Sequence, residues 1–288
     1  MDIQWYPGHM TKARRQMQED IRLIDLIIEL VDARVPLSSR NPDIDSMGRQ
    51  KARLILLNKA DLADEAWNRK WAEYFKGKGY SVLLADSRNR GNLKSLQPLI
   101  AEACREKIER DRRKGILNRP VRAMVAGIPN VGKSTFINSY AGRACAKTGN
   151  RPGVTRGKQW IRLNKTLELL DTPGILWPKF EDPQVGRNLA LIGSVRDEIL
   201  NTEELALELI RRLAAGYPNV LEERYGVRGS LEELKILEEI ARSRNCLARG
   251  GELSYEKAAG ILLDDFRSGK LGRISLEYPP GDEEKENT

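Results

Sequence analysis

Apolar runs bounded by turn residues predict strands at Leu26–Val31, Leu54–Leu57, Val82–Ala85, Val121–Ala126, Trp160–Leu163 and Leu167–Leu170. Between several of them apolar positions recur at helical spacing. Trp67, Trp71, Tyr74 and Phe75 mark a helix over Glu65–Lys78, and Leu96, Leu99, Ile100 and Cys104 mark another over Leu93–Arg113. This alternation predicts an α/β fold: a mostly parallel sheet covered on both faces. After Pro178 the strand pattern ends, and Thr202–Ala215, Leu231–Arg242 and Tyr255–Arg267 carry leucine-rich helical periodicity. Ser230, with Glu233 three residues on, and Ser254 stand where helix N-caps belong. The expected organisation is therefore an α/β domain over 1–177, a smaller all-helical domain over 178–275, and an acidic, disordered tail over 276–288. The charged run Arg110–Gly115 divides the first domain into halves, 1–114 and 115–177.

A chain of 288 residues suits two such domains. Lys and Arg outnumber Asp and Glu by 49 to 41, a formal charge of +8, which favours a polyanionic partner without choosing RNA over a membrane. No run approaches the roughly 20 apolar residues of a membrane span. The acidic Asp2, Glu19 and Asp20 are unlike a targeting peptide, so a cytoplasmic location is expected. Cys104, Cys145 and Cys246 are odd in number and widely spaced, which fits neither a disulfide framework nor a Cys-x-x-Cys zinc site.

The candidate chemistry begins with Gly127-Ile128-Pro129-Asn130-Val131-Gly132-Lys133-Ser134, a strand-to-helix loop with the spacing of a phosphate-binding loop. The glycines let backbone N–H groups reach phosphate oxygens along Asn130, Val131, Gly132, Lys133, Ser134 and Thr135. Lys133 brings a point charge to the β and γ phosphates, and the Ser134 hydroxyl can ligate Mg²⁺. Asp171-Thr172-Pro173-Gly174 ends another strand, which puts Asp171 in place to hold Mg²⁺ and the Gly174 N–H in place to meet a γ phosphate. Thr155 is positioned in sequence as the switch threonine that completes the magnesium shell. In Asn58-Lys59-Ala60-Asp61 the carboxylate can accept two guanine N–H groups where adenine offers no matching donors. Asn58 would brace neighbouring loops and the Lys59 stem would pack over the base. Ser87 and Arg88 after the next strand supply a second guanine loop. GTP and GDP with Mg²⁺ are thus the expected ligands. The guanine tetrad precedes the phosphate loop, the reverse of the usual order.

These motifs and their order resemble the circularly permuted GTPases. Trp5-Tyr6-Pro7-Gly8-His9-Met10, Asp32-Ala33-Arg34-Val35-Pro36 and Asn41-Pro42 are similar to the ribosome biogenesis GTPase A family. The resemblance implies an ordinary GTPase sheet rejoined so that the guanine-reading strands come first, with the helix Leu93–Arg113 spanning the join. It also implies a factor acting late in assembly of the large ribosomal subunit, with GTP controlling attachment and release and the helical domain contacting rRNA. There Arg211, Arg212, Arg242, Arg244 and Arg249 would form the basic face, with solvated helix surface as the alternative. DNA is not an expected partner, membrane contact would be peripheral at most, and a monomer is expected.

Many GTPases carry Gln after the Asp-x-x-Gly turn to orient water, but this chain has Ile175, so slow intrinsic turnover stimulated by a partner is expected. His9, the only histidine, suits proton handling, and a loop-capping role is the alternative. Lys133, Thr155 and Gly174 complete the candidate catalytic set. Asn130 matches the position that helps bind K⁺ in potassium-activated GTPases. A competing reading is an RNA-binding assembly chaperone in which nucleotide is structural. A third, a membrane-associated GTPase, lacks a lipidation signal. The sequence assigns no role to Arg34 and Arg40, which flank Pro36, or to Trp160.

Overall fold

The computed structural model describes residues 3, 5–117, 119–146 and 159–281. The chain opens with α1 (Gly8–Asp20), followed by β1 (Leu26–Asp32), α2 (Pro42–Met47), β2 (Ala52–Asn58), α3 (Glu65–Gly77) and β3 (Ser81–Ala85). Then come α4 (Leu96–Ala103), α5 (Arg105–Arg113), β4 (Val121–Gly127), α6 (Lys133–Ala141), β5 (Gln159–Arg162) and β6 (Leu167–Asp171). The helical region holds α7 (Pro183–Leu191), α8 (Thr202–Gly216), α9 (Asn219–Tyr225), α10 (Glu233–Ser243) and α11 (Tyr255–Ser268).

The strands form one sheet in the order β3-β2-β1-β4-β6-β5, parallel except for β5, which pairs antiparallel with β6. The two halves therefore meet at mid-sheet, where β1 pairs with β4 in the register Leu26 to Ala123. Alternation along a strand sends neighbouring side chains to opposite faces: Leu54 and Leu56 enter the larger apolar core, whereas Ile55 and Leu57 pack with Trp71 and Phe75 of α3 in a smaller one. Because the five parallel strands run the same way, their C-terminal ends share one edge of the sheet. Ligand loops of open α/β sheets lie at that edge, and here it carries the ends of β2, β3, β4 and β6.

All six predicted strands are present, and the mostly parallel α/β class holds. The larger core is continuous from the sheet into the helical region: it includes Met124 and Leu169 on the strands together with Leu205, Leu209, Ile240 and Leu262 on the helices.

Four sequence expectations need correction. The helix expected over Leu93–Arg113 is two helices, because Cys104 leaves helical geometry (φ −102°, ψ 12°). Leu96, Ile100 and Cys104 are buried, and the break falls where this apolar stripe gives way to the charged α5. Ser230 does not cap α10, which starts after Glu232 without a side-chain cap, whereas Ser254 accepts from the Lys257 N–H as expected. The helices α1, α2, α7 and α9 have no counterpart in the periodicity, although Asp182-Pro183 is an N-cap and first-turn pair. Finally, residues 276 and 277, expected within a disordered tail, are held against the sheet half of the chain. The Leu276 N–H donates to the Arg34 carbonyl, and buried Trp71 donates through Nε1 to the Glu277 carbonyl at 3.2 Å. Residues 282–288 lie outside the described residues.

Candidate nucleotide-binding site

The phosphate loop leaves β4 and enters α6 through Gly132, which has a left-handed φ of 102°. A Cβ on Gly127 would lie 2.7 Å from the Leu30 carbonyl, and one on Gly132 would collide with the Asn58 amide, so the loop requires glycine at both positions. Lys133 is buried, and its Nζ donates to the carbonyls of Gly127 (3.0 Å) and Ile128 (2.8 Å). Burial pushes its pKa down to about 8, against the attraction of Asp171. Asp171 ends β6, and burial pushes its carboxyl up to about 6, opposed by Lys133. Gly174 lies against the loop: a Cβ there would be 2.7 Å from the Lys133 Nζ and 2.9 Å from the Pro129 backbone.

Asp171 Oδ1 is buried and has no hydrogen-bond partner. An unpartnered carboxylate oxygen facing Lys133 of the phosphate loop fits a hard cation that draws its other ligands from phosphate and water. Among the described residues no group of three or more His, Cys, Asp or Glu forms a self-sufficient metal site. Thr155, like Arg156 and Lys158, lies outside the described residues.

At the Asn58–Asp61 run, Asn58 braces two loops. Its Nδ2 donates to the Val131 carbonyl (2.7 Å), and its Oδ1 accepts from the Ser87 backbone N–H (3.0 Å) and hydroxyl (2.6 Å). The Lys59 ammonium lies 3.0 Å from Asp32 Oδ2, and burial lowers its pKa. Asp61 is held through Oδ2 by Arg88, while its buried Oδ1 has no partner. Arg88 thus sits on the carboxylate that the sequence assigns to guanine.

The helical region closes one side of the site. Asn130, at a left-handed φ of 58°, donates through Nδ2 to the Gly193 carbonyl (2.7 Å), and the Ser194 hydroxyl donates to the Pro129 carbonyl (2.8 Å). A cleft of about 750 Å³ between Lys59 and Asn130 is walled on that side by Arg196, Arg267 and Lys270. Ile175 is buried, and its carbonyl accepts from the Asn41 amide at 3.3 Å. His9 is exposed on the first turn of α1, next to buried Met10, whose Sδ accepts from the Leu176 N–H at 3.5 Å.

Sequence reasoning misses Asp32, Arg34, Gly193 and Ser194 as neighbours of the site. The Asp-Ala-Arg run is visible in the chain, but Phe266, a partner of Arg34, is 232 residues away from it. Arg40 pairs with Glu29 and Asp45. Trp160 is exposed on the edge strand, with the Arg122 guanidinium 5.4 Å from its ring centre. The expected basic face is largely paired internally: Arg211 and Arg212 with Glu208, Arg242 with Glu238, and Arg244 with the Arg224 carbonyl.

Known proteins resemble this chain along almost its full length. The model of a family described as 50S ribosome-binding GTPase matches residues 122–224. "Ribosome biogenesis GTPase A" of Bacillus cereus is 47% identical over 280 residues, covering 97% of this chain and 95% of the relative. "Mitochondrial ribosome-associated GTPase 1" of Xenopus tropicalis is 32% identical, covering 95% and 94%. The crystal structure of GNP-bound YlqF from T. maritima superposes with a TM-score of 0.67 at 28% identity, covering 93% of this chain and 99% of that one. With identity extending along nearly its whole length, the chain belongs to the ribosome biogenesis GTPase A family and is a GTP hydrolase.

Proposed function

We propose that this GTPase is a GTP-controlled switch in large-subunit assembly. GTP favours docking on the immature subunit, and hydrolysis stimulated there releases the protein. The observation that carries this reading is the pair of hydrogen bonds linking Pro129 and Asn130 to Ser194 and Gly193, which ties the phosphate loop to the helical region. A change at the phosphates is therefore felt where α7 leads into α8. The names of the relatives, which concern ribosome biogenesis and ribosome association, support the choice of partner.

In this reading the N–H groups of Asn130 to Thr135 hold phosphate oxygens, Lys133 exchanges its two carbonyl partners for the β and γ phosphates, and Asp61 selects guanine. Ser134 and Asp171, with Thr155, would hold Mg²⁺, which supplies charge neutralisation on the transferring phosphoryl group. Asn130 would contribute to a K⁺ site. His9 would position or deprotonate water, since Ile175 is apolar and buried. The helical region would contact rRNA through its arginines, among which Arg211 and Arg242 hold exposed ion pairs weak enough to exchange.

The test is GTP turnover in K⁺ buffer with purified large subunits, small subunits, or neither. Stimulation by large subunits alone is expected, together with lower turnover when Na⁺ replaces K⁺. Equal rates in all three mixtures would overturn the switch. Lys133→Ala should uncouple docking from nucleotide, and docking that never depended on nucleotide would favour an assembly chaperone.

A further inference from the structure

We infer that guanine selection depends on the helical region through two positioning residues, Arg34 and Arg273, which hold the guanine-reading loop from opposite sides. This rests on the assignment of Asn58–Asp61 as that loop. Lys59 has a left-handed φ of 58°, a conformation that costs a residue with a side chain and persists only when its surroundings hold it.

On one side the holder is Asp32, fully buried, whose Oδ2 lies 3.0 Å from the Lys59 ammonium. Arg34 grips the same carboxylate with Nε on Oδ1 (2.9 Å) and Nη2 on Oδ2 (2.8 Å). Its remaining nitrogen, Nη1, donates to the Phe266 carbonyl of α11 at 3.3 Å, and the guanidinium lies 5.0 Å from the centre of the Phe266 ring. A planar guanidinium can fix a carboxylate in two dimensions while contacting a third group, which an ammonium cannot do. Lys59 is thereby referenced to α11.

On the other side, Arg273 donates through Nε to the Ala63 carbonyl (2.9 Å) and through Nη2 to the Ala60 carbonyl (3.1 Å). The next residue, Ile274, donates its N–H to the Leu62 carbonyl at 2.9 Å. Within the loop's own half, the Asn68 amide also reaches the Ala60 carbonyl, at 2.8 Å. The carbonyls on both sides of Asp61 are thus taken by the segment that follows α11. A carboxylate that must meet two guanine donors at once depends on this placement, because small displacements weaken both hydrogen bonds together.

The test uses the full chain and compares GDP with inosine diphosphate, which lacks the 2-amino group, by calorimetry. Arg273→Met and Arg34→Lys should each reduce the preference for GDP by about tenfold, the scale of one hydrogen bond. Arg273→Lys, which keeps a donor, should recover part of it. Glu65→Gln, which alters an Arg273 partner without touching the loop carbonyls, should leave the preference unchanged. Arg273 is half-exposed, so its variant remains informative if Arg34→Lys fails to fold. Equal losses for both nucleotides, or an unchanged preference, would overturn the inference. Asp61→Asn serves as the separate check on the loop assignment: it should shift preference towards xanthosine diphosphate, and no shift would overturn the assignment itself.

Discussion

Lys133 is stored as a buried ammonium on two loop carbonyls, with its pKa pushed down to about 8. Between that value and the ordinary lysine range the unfolded chain binds more protons than the folded one, so this residue's contribution to stability rises with pH. The unfolding free energy of the nucleotide-free protein, relative to Lys133→Met, should therefore increase above pH 8 by at most about 1.4 kcal/mol per unit. Urea titrations at pH 7.5, 8.5 and 9.5 would show this, and a flat or falling difference would exclude it. Arg88 presents the opposite case, an exposed cation on Asp61, the carboxylate proposed to read guanine. Exposed ion pairs contribute up to about 1 kcal/mol, so Arg88→Ala should tighten GDP binding by no more than about fivefold. Weaker binding on calorimetry would instead make Arg88 a direct ligand. At this scale the sequence is informative wherever chemistry is local: an amide at Asn58 suits bracing, and glycines at 127 and 132 suit close approach. Arg34 is only half legible: Asp32 stands two residues away, but Phe266 of α11 is brought to it by tertiary packing.

The turn leaving β6 couples strand, phosphate loop and helical region. Gly174 has no space for a Cβ between Lys133 and Pro129, so Gly174→Ala must push the turn away from the phosphate loop. If the Gly174 N–H meets the γ phosphate as proposed, the expected result is a loss of GTP affinity at least tenfold greater than the loss of GDP affinity. Parallel calorimetric titrations with GDP and a non-hydrolysable GTP analogue would check it, and equal losses would count against that role. Elements with a strong periodic signal are legible at this scale: every strand, and the helices α3, α8, α10 and α11. The helices α1 and α2 carry little apolar repetition and are fixed by a few buried residues such as Met10, Met17 and Ile44. The break at Cys104 has no Gly or Pro to announce it and falls where the apolar stripe of α4 gives way to the charged α5.

Across the molecule, Glu277 joins three parts. Its carboxylate accepts from the N–H groups of Leu37 and Ser38, from the Ser38 hydroxyl, and from the Asn188 amide of α7. Removing it strands several donors, so Glu277→Ala should cost about 2–4 kcal/mol, measurable by urea unfolding, and a cost below about 1 kcal/mol would mean water replaces it. The sheet order has a further consequence for how the chain is made. β1 lies between β2 and β4, yet β4 is encoded roughly 90 residues after β1 ends. At translation rates of about 5–20 residues per second, the nascent chain holds β1 without that neighbour for on the order of 5–20 s. During that interval a strand whose every residue is buried in the finished sheet offers an open hydrogen-bonding edge to any other nascent or misfolded chain. The order that places Asn58–Asp61 ahead of the phosphate loop therefore leaves β1 half-paired during synthesis, a delay that exposes it to association with other chains.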